Sequence, residues 1–153
     1  MERTLVLVKP DALQRSLIGQ ILQRFERKGL KLVGMKMMSL SDAILREHYA
    51  HLADKPFFAG LAKFMKSTPV IVMCWEGVEV VSTVRLLCGI TKSREADTGS
   101  IRGDFAMSVS CNVVHASDSV ATAEKEIQRF FSKDELFEYD KTEYAHVYSD
   151  DEM

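Results

Sequence analysis

The sequence predicts an α/β domain in which one sheet is covered by helices. Strand-type apolar runs alternate with helix-type apolar stripes along the chain, in the order βαβ, helical insert, βα, long loop, βα, with no internal repeat or low-complexity tract. A length of 153 residues with 46% apolar content is enough for one ordinary core, so residues 1–153 are expected to form a single domain.

Residues 4–9 are a β-branched and aliphatic run ending at Pro10, as in a buried strand that stops where proline removes a donor. From Leu17 the positions Leu17, Ile18, Ile21, Leu22 and Phe25 keep helical spacing, basic residues follow, and Gly29 supplies a left-handed stop. Residues 30–40 read as a second strand, with Val33, Met35 and Met37 on one side and lysines at 31 and 36. Ser39 or Ser41 can cap a helix from about Asp42 to Tyr49, and residues 57–65 predict another. Residues 69–75 are nearly all apolar, which suits a central strand, and Val80, Val81, Val84, Leu87 and Cys88 form a helical stripe ended by Gly89. Residues 90–111 hold no sustained period and read as a long functional loop. Residues 112–115 form a short last strand before a helix capped from Ser117, Asp118 or Ser119, with Val120, Ala123, Ile127 and Phe130 inward. In the tail, the aromatics from Tyr139 are expected to dock and the acidic end at 149–153 to fray.

Composition narrows the function classes. A net charge of −2 provides no broad basic field for nucleic acid or an anionic membrane. No apolar stretch approaches the roughly 20 residues of a membrane span, so a cytoplasmic location is expected. Cys74, Cys88 and Cys111 lack C-x-x-C spacing and read as reduced, buried thiols rather than a disulfide framework or zinc site.

There is no phosphate loop, no dinucleotide turn and no protein-kinase signature, so a phosphate site would have to be assembled from side chains. Lys9, Arg85, Thr91 and Arg102 are available for that, although long cations more often sit solvated at surfaces. His115 ends an apolar strand just before a candidate helix N-terminus, where free N–H groups favour an anion and a neutral imidazole can act as a nucleophile. The bland alternative is a core histidine satisfied by the backbone. Glu126 lies at the border of the last helix's apolar stripe, within reach of orienting His115; its bland alternative is a solvated charge.

The segment N-V-V-H-A-S-D-S at 112–119 closely resembles the active-site segment of nucleoside diphosphate kinases. The resemblance continues through E-R-T-L-V-L-V-K-P-D at 2–11, R-F-E-R-K-G at 24–29, E-H-Y at 47–49, K-P-F-F-A-G-L at 55–61, I-R-G-D-F at 101–105 and A-E-K-E-I at 123–127. It implies a ferredoxin-like α+β sandwich with a four-stranded antiparallel sheet covered by helices. It also implies transfer of the terminal phosphate of a nucleoside triphosphate such as ATP to a nucleoside diphosphate, by a ping-pong route through a phosphohistidine on His115.

By the same resemblance, Lys9 and Asn112 hold the sugar and nearby phosphate oxygens, and Arg85, Thr91 and Arg102 grip the phosphates. Tyr49 sits near the transferred group, Phe57 stacks on the base with little base specificity, Ser117 and Glu126 support the histidine, and Asp118 is structural. Mg²⁺ is the implied cofactor, held mainly by nucleotide phosphates with no protein ligand set. The implied assembly is a homo-oligomer, a hexamer ahead of a tetramer. Ala12, Ser16 and Ala116 stand where the family often has glycine, and Asp97-Thr98-Gly99 lacks a proline common in that loop. Two rival readings are an idle nucleotide-binding module, disfavoured by the intact residue set, and a nucleic-acid binder, disfavoured by the charge and the lack of an aromatic RNA-reading motif.

Overall fold

The computed structural model describes residues 1–152. Strands β1 (Glu2–Val8), β2 (Lys31–Met38), β3 (Val70–Gly77) and β4 (Val114–Ala116) form one sheet in the order β2-β3-β1-β4, antiparallel throughout. This is the ferredoxin-like arrangement. The two inner strands are those with the longest apolar runs, because a strand covered on both faces must be apolar at successive positions.

Alternation along β1 divides the core in two. Val6 and Val8 face Met73, Trp75, helix α2 (Ile18–Arg27) and helix α5 (Val80–Cys88). Leu5 and Leu7 face Val72 and Cys74 on the side covered by helices α3 (Asp42–His48), α4 (Phe58–Met65) and α7 (Val120–Phe130). Phe25 and Trp75, both fully buried, meet with ring centroids 5.3 Å apart. Burial of each such side chain stabilises the fold by about 1.5–3 kcal/mol.

The helix limits have local causes. Gly29 ends α2 at φ 94°, a conformation that costs glycine nothing. The side chains of Ser41 and Ser119 accept from Ile44 N–H and Thr122 N–H and so start α3 and α7.

Several expectations need correction. Val33, Met35 and Met37 do not share a face: a bulge between Leu32 and Gly34 shifts the alternation, leaving Val33 buried and both methionines exposed. Of the two lysines on this strand, Lys31 is buried and its Nζ donates to Glu76 at 3.0 Å. The 90–111 segment is not all loop, since it contains a 3₁₀ turn at Ser93–Glu95 and helix α6 (Ile101–Phe105), started by Ser100. A short helix α1 (Pro10–Gln14) follows β1 directly, because proline suits the first helical turn as well as a strand end. In addition, Cys111 is exposed while Cys74 and Cys88 are buried, and Val120 is 42% exposed.

The tail docks as expected. Phe137 N–H donates to Val33 O at 2.8 Å, and the Tyr139 hydroxyl to Leu32 O at 2.7 Å. Asp150, Asp151 and Glu152 are exposed, but Glu152 accepts from Ser149 N–H and closes a turn, so that stretch is capped rather than frayed. Met153 lies outside the described residues. No helix among the described residues is long and apolar enough to cross a membrane.

Candidate active site

The C-terminal end of β1, the start of β4, the end of α5 and helix α6 surround a cleft with two lobes, of about 180 and 530 Å³. The lobes share Tyr49, Thr91, His115 and Ala116.

Lys9, Arg85 and Arg102 line the smaller lobe, and no carboxylate does. Lys9 caps α1 and is buried; its Nζ donates to Asn112 Oδ1 at 2.6 Å. Burial, helped by the nearby Arg102 charge, pushes the Lys9 ammonium down to about 8. Asn112 is held further by Nδ2 bonds to Val109 O at 2.9 Å and Thr91 O at 3.5 Å. Arg102 is buried and braces the backbone: Nη1 donates to Gly89 O at 2.6 Å, Nη2 to Val114 O at 2.7 Å and Nε to Asn112 O at 3.3 Å. Three of a guanidinium's five N–H groups are thus engaged, which leaves two for a ligand. Arg85 and Thr91 are exposed at the rim. Partly dry cationic walls with no neutralising carboxylate favour an anionic guest.

On the other side, His115 extends from β4, opposite Leu7 of β1, with its side chain 21% exposed. Its Nε2 lies 3.0 and 3.1 Å from the two Glu126 oxygens. Glu126 falls on the inward stripe of α7 with Ala123, Ile127 and Phe130 and is buried. Ser117 Oγ donates to Glu126 Oε2 at 2.6 Å and accepts from Leu5 N–H at 3.3 Å, tying the carboxylate to the centre of the sheet. Burial opposes the Glu126 charge, but the hydrogen bonds from His115 and Ser117 outweigh it and hold the carboxyl below its usual range. An ionised acceptor at Nε2 fixes the proton there and leaves Nδ1 with the free lone pair.

His48, which the sequence reading passed over, wedges edge-on against His115 with ring centroids 4.5 Å apart and also touches Tyr49 and Phe130. Arg129 Nη1 lies 3.3 Å from His48 Nδ1, so that nitrogen accepts. Burial, followed by the adjacent His115, pushes His48 down to about 3 and keeps it neutral. Its signal lay in the block E-H-Y, where His48 falls one helical turn after the buried Leu45. Burial likewise raises the Tyr49 phenol. Asp118 lines the larger lobe, whereas Phe57 lines neither lobe and is 56% exposed at the start of α4. The cleft therefore collects every residue singled out for the site except Phe57 and Ser117, the latter buried behind Glu126.

Residues 2–136 match the family model described as nucleoside diphosphate kinase. The chain is 55% identical to a nucleoside diphosphate kinase of Parabacteroides distasonis over 153 residues, the whole of both chains. It is 51% identical to nucleoside diphosphate kinase A of Homo sapiens over 138 residues, 90% of this chain and 91% of that one. Among solved structures, a nucleoside diphosphate kinase of Halobacterium salinarum in complex with CDP superposes with a TM-score of 0.94 at 47% identity, covering 97% of this chain and 99% of that one. Fold and sequence agree, and the chain belongs to the nucleoside diphosphate kinase family of phosphotransferases.

Proposed function

We propose that His115 is the phosphoryl carrier of this kinase and that the smaller lobe holds the triphosphate during transfer. The observation that carries this is the pairing of a carboxylate-anchored imidazole with a carboxylate-free cationic pocket on its other side. In the first half-reaction the Nδ1 lone pair attacks the terminal phosphorus, the bond to the bridging oxygen breaks, and the diphosphate leaves with that electron pair. In the second, an oxygen of an incoming diphosphate attacks the phosphohistidine and Nδ1 recovers its lone pair.

Lys9, Arg85 and Arg102 compensate charge on the phosphates, Thr91 and Asn112 add polar contacts, and Glu126 with Ser117 holds the imidazole in line. Phosphoryl transfer depends mainly on such positioning and charge compensation. Tyr49 closes the lobe beside His115, its ring centroid 6.5 Å away.

Mg²⁺ enters with the nucleotide as part of the substrate. The single cluster with metal-ligand spacing among the described residues is His48, His115 and Glu126, whose nitrogens suit a hard oxygen-seeking cation poorly. The exposed Phe57 ring stacks on the base without reading its edges, which fits broad nucleotide use. The CDP held by the Halobacterium relative is consistent with a pyrimidine being accepted. We read the 153 residues as one working unit, cytoplasmic and homo-oligomeric, with a hexamer ahead of a tetramer.

Incubation with terminally labelled ATP tests the assignment. Label on the protein should be lost in acid and kept in alkali, and His115→Ala should take up none. Acid-stable label, or label retained by His115→Ala, would remove His115 as the carrier.

A further inference from the structure

Val113 is a fully buried, β-branched residue at φ 64°. Side chains of that shape are genuine outliers in the left-handed region. Val114 N–H donates to Asn112 O at 2.8 Å, so residues 112–114 close a three-residue γ-turn of the rare, strained hand. The turn joins two anchored pieces. On one side Asn112 is fixed through its side chain to Lys9 and Val109; on the other Val114, His115 and Ala116 are fixed by pairing with β1.

A strained turn persists only where its surroundings over-determine it. Here the Val113 peptide groups are held from the β1–α1 junction: Val113 O accepts from Lys9 N–H at 2.9 Å, and Val113 N–H donates to Asp11 Oδ2 at 3.0 Å. Arg102 braces the same turn through Asn112 O and Val114 O. Lys9 and Arg102 have proposed roles at the phosphates, whereas Asp11 does not line the cleft.

We propose that Asp11 is a positioning residue for phosphoryl transfer: its carboxylate holds Val113 in the left-handed turn that sets the offset between Asn112 and His115. Without that acceptor, the buried Val113 N–H loses its partner and the valine relaxes towards negative φ. The Asn112-to-His115 spacing then changes while each flank stays anchored. Nucleotide is still gripped, but the imidazole no longer sits in line with the terminal phosphorus. This rests on the reading of His115 as carrier.

The test measures phosphohistidine formation from labelled ATP in single turnovers, across nucleotide concentration and below each variant's melting temperature. Asp11→Ala should slow formation by about 10²-fold, the scale of a small misplacement of reacting groups, while the half-saturating ATP concentration stays near that of the parent chain. Asp11→Asn keeps an acceptor for Val113 N–H but removes the charge, and should stay within about threefold of the parent. In Asp11→Ala/Val113→Gly, glycine adopts positive φ without help, and most of the lost rate should return even though the buried valine's packing is lost.

Parent-like rates in Asp11→Ala overturn the proposal. So does Asp11→Asn as slow as Asp11→Ala, which would make the charge near Lys9 the cause, and so does a double variant no faster than Asp11→Ala. A parent chain that forms no phosphohistidine removes the carrier reading and this role with it, an outcome separate from parent activity that survives loss of Asp11.

Discussion

Across the cleft, the smaller lobe gathers Lys9, Arg85 and Arg102 with no carboxylate on its walls, whereas beside the larger lobe the Glu126 carboxylate is met by His115 and Ser117. Positive charge in the first has no acidic partner on those walls; negative charge in the second is answered at hydrogen-bond distance. The contrast separates two tasks. Unanswered charge attracts a ligand, and answered charge fixes the angle of a ring.

The largest effect should come from the imidazole, one of the groups that both lobes share. His115→Ala is expected to lower kcat by at least about 10³-fold in a coupled assay, as loss of a covalent nucleophile does. Next, Glu126→Ala should reduce kcat about 10- to 100-fold, the range seen when an orienting partner is removed, with KM little changed. If KM moved instead, Glu126 would belong with the ligand-gripping side and the contrast would break.

Arg85→Ala should act in the opposite sense, raising KM about tenfold, which corresponds to losing a charge-assisted hydrogen bond of about 1.5 kcal/mol. A kcat loss without a KM change would erase the distinction. A gentler version follows from Lys9, at about 8. As pH rises through 8 the free protein loses this ammonium, so KM for nucleotide should climb while kcat, governed by the phosphate-bound state, holds to higher pH.

The smallest effect concerns stability. His48 at about 3 stays neutral when folded, whereas an unfolded histidine takes up a proton near 6.5. The unfolded chain therefore binds more protons between those values, and stability should fall as pH drops from 6.5, by up to about 1.4 kcal/mol per unit from this residue. Urea unfolding at pH 5 and 7 should show a shallower difference in His48→Phe; an equal difference would mean that His48 is not held neutral.

Much of this architecture was legible. β1 and β3 announced themselves because central strands must be apolar on both faces, and α2 because its apolar stripe keeps helical spacing up to basic residues and a glycine stop. What stayed hidden depends on partners distant in sequence. The bulge at Val33 exists only in the pairing of β2 with β3, so a strict alternation misplaced Met35 and Met37. Helix α6 was obscured because residues 90–111 hold no sustained period, and its Gly103 answers to packing, since a Cβ there would collide with the Asp97 carbonyl. At the site, Lys9, Arg102 and Asn112 were singled out from their chemistry and the family resemblance, but their mutual bonds cross the chain and no local pattern encodes them. His48 was missed because a neutral buried imidazole and an ordinary helix-face residue look identical in one dimension.

The threefold grip of Arg102 on the carbonyls of Gly89, Asn112 and Val114 makes this position unusually intolerant of an apparently mild exchange. A lysine would bring the same charge on a single nitrogen, unable to span three oxygens in different directions and still face the cavity. Preserving the electrostatics would not preserve the walls, because the three carbonyls would lose the one donor they share.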